Sequence, residues 1–270
     1  MAEGILFRFA NEEMIYLLRS LHIPHFPGIV PEPLNPLVDE EKSLLMTEAD
    51  HTLRARGLVR WLSETERQVA PPITELLLEC AQPRYTLFVD MLDANATATK
   101  LLYIFGQEVI VEQCEPEPQV QQYLVIPSRE AFSQRLESLV VPEQDEAFAG
   151  TPQESPCSQI SLDLWERVLK VARADQAGAG VLLARSLPNQ MANALAASIH
   201  DFQHIRYLGL WKQVPSSTWD HPETALTVVA GHGQIFLLWQ EKPDSPLLRV
   251  IFASTQLVQE YIVQLLLPAV

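Results

Sequence analysis

Cysteine and basic side chains are both scarce in this sequence of 270 residues, and each scarcity removes a class of protein. Cys80, Cys114 and Cys157 are too few and too scattered for a disulfide framework, and no C-x-x-C pair is present to begin a zinc site. They fit a reducing cytoplasm. Only 19 basic residues stand against 34 acidic ones, a formal net charge of −15, so the far field repels phosphate backbones and anionic lipid heads. No basic run interrupts this field. Met1 to Phe9 lacks the basic flank and long apolar core of a signal peptide, and the final apolar run is short and carries Glu260. A cytoplasmic protein bound to neither nucleic acid nor membrane is expected.

What the sequence does contain is apolar residues, 47% of the chain, enough for one large body or two halves with their own cores. Ile5 to Phe9 reads as a short strand, and Asn11 is placed to cap a helix with Met14, Ile15, Leu17, Leu18 and Leu21 as its buried stripe. Five prolines between Pro24 and Pro36 impose an extended connection. A helix from Asp39 to Arg56 ends before Gly57, and Pro71 and Pro72 open another through Ala81. From Arg84 the period falls to that of strands: Tyr85 to Met91, Leu101 to Phe105, Glu108 to Val111, then Val120 to Ile126 after a Glu115 to Gln119 connection. Ser128 caps a helix through Val140.

Residues 141–160 are acidic and rich in proline and serine, the composition of a solvated linker. Beyond them Ser161 caps a helix bearing Leu162, Trp165, Val168, Leu169 and Ala172, and a second runs from Pro188 to His200. Strands Ile205 to Lys212, Ala225 to Ala230, Gln234 to Gln240 and Leu247 to Phe252 precede a last helix capped by Ser254. The pattern therefore repeats. We expect an α+β fold of two quasi-repeated halves, 1–140 and 161–270, each of helices, an antiparallel strand meander and a helix, joined around a central sheet into one compact body.

Chemistry is hard to find. His200 and His204 stand four apart, a metal-binding spacing on a helix, but they lack the His-Glu-x-x-His acid and also suit a helix C-terminus. Gly178-Ala179-Gly180 lies inside or after a helix, not at the strand-to-helix turn that cradles phosphate. Gly231-His232-Gly233 between two apolar runs is what a hairpin turn requires, against an exposed imidazole for acid–base work. Cys157 lies in the linker with no base beside it, and Asp90 and Asp93 read as a solvated strand edge.

Three functional classes stay open on the residues. One is an enzyme whose site is assembled from distant positions. Another is a winged-helix regulator around Leu53-Arg54-Ala55-Arg56-Gly57-Leu58-Val59, against which the acidic charge argues, Arg54 and Arg56 otherwise lying on the exposed side of an amphipathic helix. The third is a protein-binding module anchored by Trp165, Leu169, Trp211, Trp219 and Trp239, although strand aromatics such as Trp211 and Trp239 are more often simply core.

The order of features adds a resemblance. The strand and helix Leu6-Phe7-Arg8-Phe9 and Glu12 to Leu21, the proline-rich span, the run Leu53 to Val59, the helix Ile73 to Cys80 closing in Ala81-Gln82-Pro83, and the strand Tyr85 to Met91 resemble the EspG-like proteins. These are cytosolic chaperones of type VII (ESX) secretion systems. The resemblance implies a pseudo-two-fold architecture, no catalysis and no cofactor. It also implies a protein partner, PE-PPE-like, whose exposed helical or apolar tip is held before export by a monomer or homodimer. The surface implied lies around the hairpin loops and the helices Trp165 to Ala174 and Pro188 to Ile199. The glutamine- and proline-rich segment Cys114 to Gln122 departs from the usual members.

Overall fold

A computed structural model describes residues 4–29, 38–63, 66–95, 97–142, 158–212, 222–242 and 245–269. In chain order the elements are β1 (Ile5–Ala10), α1 (Asn11–Ser20), α2 (Asp39–Ala55), β2 (Val59–Trp61), β3 (Arg67–Val69), α3 (Pro71–Ala81), β4 (Tyr85–Asp93), β5 (Ala98–Phe105), β6 (Ile110–Glu117), β7 (Val120–Ile126) and α4 (Arg129–Val140). There follow β8 (Ser158–Ser161), α5 (Leu162–Ala172), α6 (Gln176–Leu183), α7 (Asn189–His200), β9 (Phe202–Lys212), β10 (Thr224–Gly231), β11 (Gln234–Gln240), β12 (Leu247–Ala253) and α8 (Thr255–Leu266). The fold is α+β. Its ten-stranded sheet has the order β1-β7-β6-β5-β4-β9-β10-β11-β12-β8, and β2 and β3 pair apart from it.

The element order repeats as a strand, three helices, a four-strand meander and a helix, with β8 and α5 opening the second copy as β1 and α1 open the first. β1 pairs antiparallel with β7, and β8 with β12, so each copy's first strand borders its own last one. One element has no counterpart: the β2–β3 hairpin stands between the second and third helices of the first copy, where the second has none among the described residues.

The described residues form two compact units, one drawn from positions 4–86 and 101–129, the other from positions 87–100, 130–212 and 222–269. In the first, Phe9, Met14, Leu17, Leu53, Ile73, Leu77, Tyr103 and Tyr123 are buried, and the Phe9 and Phe26 rings meet that of Tyr123 at centroid distances of 6.3 and 6.0 Å. In the second, Trp165, Val168, Leu183, Leu195, Ile199, Phe236, Leu238 and Val250 share one apolar cluster.

Local chemistry explains most boundaries. Ser161 Oγ accepts from the Leu164 N–H and Ser254 Oγ from the Leu257 N–H, each at 3.2 Å, as N-caps do. Asn11 is not a cap: Ala10 occupies that position, its N–H donates to the Glu13 carboxylate at 3.1 Å, and Asn11 Oδ1 instead accepts from Gln121 Nε2. The Glu115 to Gln119 connection is shorter than expected, because β6 continues to Glu117 through a register shift and the chain turns at Gln119, whose φ is 67°. Residues 158–160, read as linker, form an edge strand with Ser161, since β12 supplies the ladder that their polar composition does not announce. Residues 143–157 of that linker lie outside the described residues, as do Pro31, Pro33 and Pro36.

Gly178 and Gly180 lie within α6, which Asp175 caps through the Gly178 N–H at 2.8 Å. At Gly231-His232-Gly233 the hairpin reading holds, His232 and Gly233 taking φ of 51° and 71° to join β10 to β11. Gly231 is fixed for a different reason: a Cβ there would strike the backbone carbonyl of Ser198, and would lie 2.7 Å from that of Asp201. Gly231→Ala is expected to cost about 1–3 kcal/mol, the range for forced overpacking, measured as a fall in the urea midpoint.

Candidate functional site

The inserted hairpin takes part in a polar assembly of the first unit. α2 stops because the Leu58 and Gly57 N–H groups fold back onto the Leu53 and Arg54 carbonyls, both at 2.9 Å, with Gly57 in the left-handed region at φ 70°. The chain then leaves directly as β2. Val59, Arg60 and Trp61 pair with Val69, Gln68 and Arg67; Val59 and Val69 are buried, and two positions along the same face Trp61 and Arg67 meet opposite one another at its exposed end.

Asp50 organises these groups. It is 4% exposed, on the inner face of α2 beside Ala49 and Leu53. Its Oδ1 accepts from the Tyr16 hydroxyl and, at 2.9 Å, from the Trp61 indole N–H, while Oδ2 lies 3.6 Å from the Arg54 guanidinium. Burial alone pushes the Asp50 carboxyl up, but the Tyr16 and Trp61 donors together with Arg67 and Arg54 outweigh it and hold the group below its ordinary value. The Tyr16 phenol, desolvated and bonded to that carboxylate, is pushed up to about 12. Arg54 and Arg67 lie over the Trp61 ring at 4.8 and 5.4 Å, and Arg67 also lies over Tyr16 at 5.5 Å.

Two surface cavities flank the assembly. His51, Arg54, Ala55, Gly57, Val59, Arg60 and Trp61 line one of about 800 Å³, and Tyr16, Arg19, Ser20, His22, Met46, Glu66 and Arg67 line another of about 500 Å³. Among the described residues that line the first, none is acidic. The Tyr16 hydroxyl beside the Asp50 carboxylate is only 4% exposed, and what the arrangement presents at the surface is guanidinium groups around an aromatic face, the chemistry of recognition.

Residues singled out in the sequence lie elsewhere. Trp165, Trp211 and Trp239 are buried, at 5%, 8% and 6% exposure, Leu169 packs partly buried against the α5–α7 cluster, and Trp219 lies outside the described residues. Trp239 meets the Tyr261 ring edge-on at 5.3 Å. His200 ends α7 and bonds the Ala172 carbonyl at 2.9 Å, whereas His204 lies in β9, so the helical four-residue geometry for a shared metal does not form. Among the described residues no group of three or more His, Cys, Asp or Glu is placed to hold a metal. Asp93 is more than a solvated edge: Arg206 binds it at 2.7 Å and donates to the Leu92 and Leu139 carbonyls. Arg56 likewise pairs with buried Glu13 at 2.9 Å and donates to the Arg8 carbonyl. The Asp50 assembly escaped the sequence reading, although a carboxylate flanked by Ala49 and Leu53 on an apolar stripe signals a buried acid that needs partners.

His204 gives a pH effect. Burial and the Arg206 charge lower its imidazole from 6.5 to about 4, against the opposing pull of Asp93. The unfolded chain therefore binds the proton first, and the stability contributed by neutral His204 is complete above 6.5 and lost as pH falls toward 4. His204→Gln is expected to flatten the dependence of the urea midpoint on pH in that window.

The α+β architecture is that of an EspG-like fold. It superposes with a TM-score of 0.61 on the Mycobacterium tuberculosis type VII secretion system chaperone EspG5, solved in complex with a PE25-PPE41 dimer, over 97% of this chain and 96% of that one at 14% identity. At the level of sequence, no protein-family model and no curated protein matches. Among the described residues, no helix is long and apolar enough to cross a membrane.

Proposed function

We propose that this chain is a non-catalytic, chaperone-like binding protein of the cytoplasm that holds a helical secretion substrate, PE-PPE-like where its source has such proteins. The observation that carries the reading is the end-to-end fold likeness to a chaperone solved with its substrate dimer. The chain's own residues support it: the titratable groups that converge do so around structural ion pairs and ring contacts, as at Asp50 and Arg206. In the second unit the buried Trp165, with Leu169, underlies the α5–α7 layer and Trp239 packs against Tyr261 of α8, and exposed Val181 on α6 and Val263 on α8 offer one apolar contact on each of these layers.

The test is capture of the tagged full chain from its native lysate, with retained proteins identified by mass spectrometry and the complex weighed by light scattering. A single helical, secretion-linked protein in near-equal amount is the expected result. Absence of any stoichiometric partner under conditions where the secretion machinery is expressed would sink the reading.

A further inference from the structure

The first unit carries a surface that the fold likeness does not assign. In a protein of net charge −15, the cavity beside β2 is lined by His51, Arg54 and Arg60, with no carboxylate among its described lining residues. Trp61, 43% exposed, shows its ring there while its N–H is held by Asp50, and its neighbour Leu62 is 54% exposed. Beside Gly57 a Cβ would meet nothing within 4 Å, so that side of the cavity is open. Ordered arginines around an anchored tryptophan are the composition of an interface hot spot. The hairpin that supplies Arg60, Trp61 and Arg67 is also the element that the second repeat lacks among the described residues, and the repeat does not need it to complete its meander.

We infer that this cavity of α2 and β2 is a docking site for an acidic segment of the protein partner, one that sets carboxylates against Arg54 and Arg60 and an apolar side chain against Trp61. The inference rests on the binding-protein reading and gives that partner a second chemistry besides its helical tip. Charge complementarity selects the occupant: a second copy of this chain brings the same large negative charge, and a polyanionic nucleic acid meets the same long-range repulsion, whereas a short segment brings only the few carboxylates that the guanidiniums can pair.

The experiment uses a fluorescein-labelled helical peptide of glutamate and leucine, its glutamine counterpart and an oligothymidylate, titrated with the full chain and followed by anisotropy. The acidic peptide is expected to bind at least about tenfold more tightly than the glutamine peptide, and to weaken as salt is raised. Arg60→Glu, on an exposed strand position, is expected to remove that preference without moving the thermal midpoint; Trp61→Phe keeps a ring and is expected to retain most of it. Equal binding of the two peptides, indifference to Arg60→Glu, tighter binding of the oligothymidylate, or self-association through this face would each overturn the inference. Capture of a stoichiometric partner by both wild type and Arg60→Glu would leave the chaperone reading standing and remove this one, while peptide binding without any captured partner would do the reverse.

Discussion

Trp165→Ala is expected to lower the unfolding free energy by about 3–5 kcal/mol, the range for truncating a large aromatic in a packed core. Trp165 is 5% exposed on α5 and belongs to the cluster that includes Val168, Leu195, Phe236 and Val250, so the deletion leaves a void among side chains drawn from two helices and two strands. Those elements cannot all shift to fill it. Guanidinium unfolding of the second unit, followed by tryptophan emission and far-UV circular dichroism, should show the fall. The same variant separates packing from recognition. If Trp165 acts by supporting the surface, capture of the partner persists well below the lowered midpoint; if it is itself an anchor, capture is lost while the midpoint stays where it was.

Asp50→Ala should cost roughly 2–4 kcal/mol, mostly through what it leaves behind. Tyr16 is 4% exposed, and its hydroxyl would lose the carboxylate that accepts from it inside the first unit. The Trp61 indole is partly exposed and recovers water, and Arg54 is 44% exposed, so the ion pair itself adds little. Because the folded-state carboxyl is held below its ordinary value of 3.8, the stability that Asp50 contributes is complete above that value and is lost as pH falls below it. This window lies below that of His204, so the two groups can be told apart in one acid titration. Asp50→Asn keeps an acceptor for one donor and should cost less than alanine. Freed from Asp50, Trp61 should also show a red-shifted, more mobile emission, and in the docking reading the acidic peptide should weaken without any loss of positive charge.

Periodicity gave the helices and strands their type because burial repeats with the backbone, and it located α1, α2, α3, α4, α5, α7, the start of α8, β4, β7, β10, β11 and β12 within a residue or two, whereas β5 and β9 begin three residues earlier than expected and β6 runs six residues further. Ser161 and Ser254 were legible as caps because a cap needs only the side chain and the N–H three residues on. The Gly231 to Gly233 turn was legible because positive φ selects its residues. The repeat of elements followed from these, and the α+β class with it.

Other features required the tertiary structure. β8 is a strand only because β12 offers it a ladder, and α6 carries two glycines and no apolar stripe that would mark it in advance. Burial of Trp165, Trp211 and Trp239 was hidden because the period shows which face a residue occupies, not whether another layer covers that face. The candidate site was hidden most completely. Tyr16 meets Asp50 across 34 positions and Arg56 meets Glu13 across 43, and no local pattern records which distant donor a carboxylate will meet. The sequence by itself determined most of the helices and strands, the caps at Ser161 and Ser254 and the negative charge, since these depend on neighbours along the chain. Only the tertiary structure decided the order of strands in the sheet and the gathering of cationic side chains around Trp61, since both depend on contacts that form after the chain has folded back on itself.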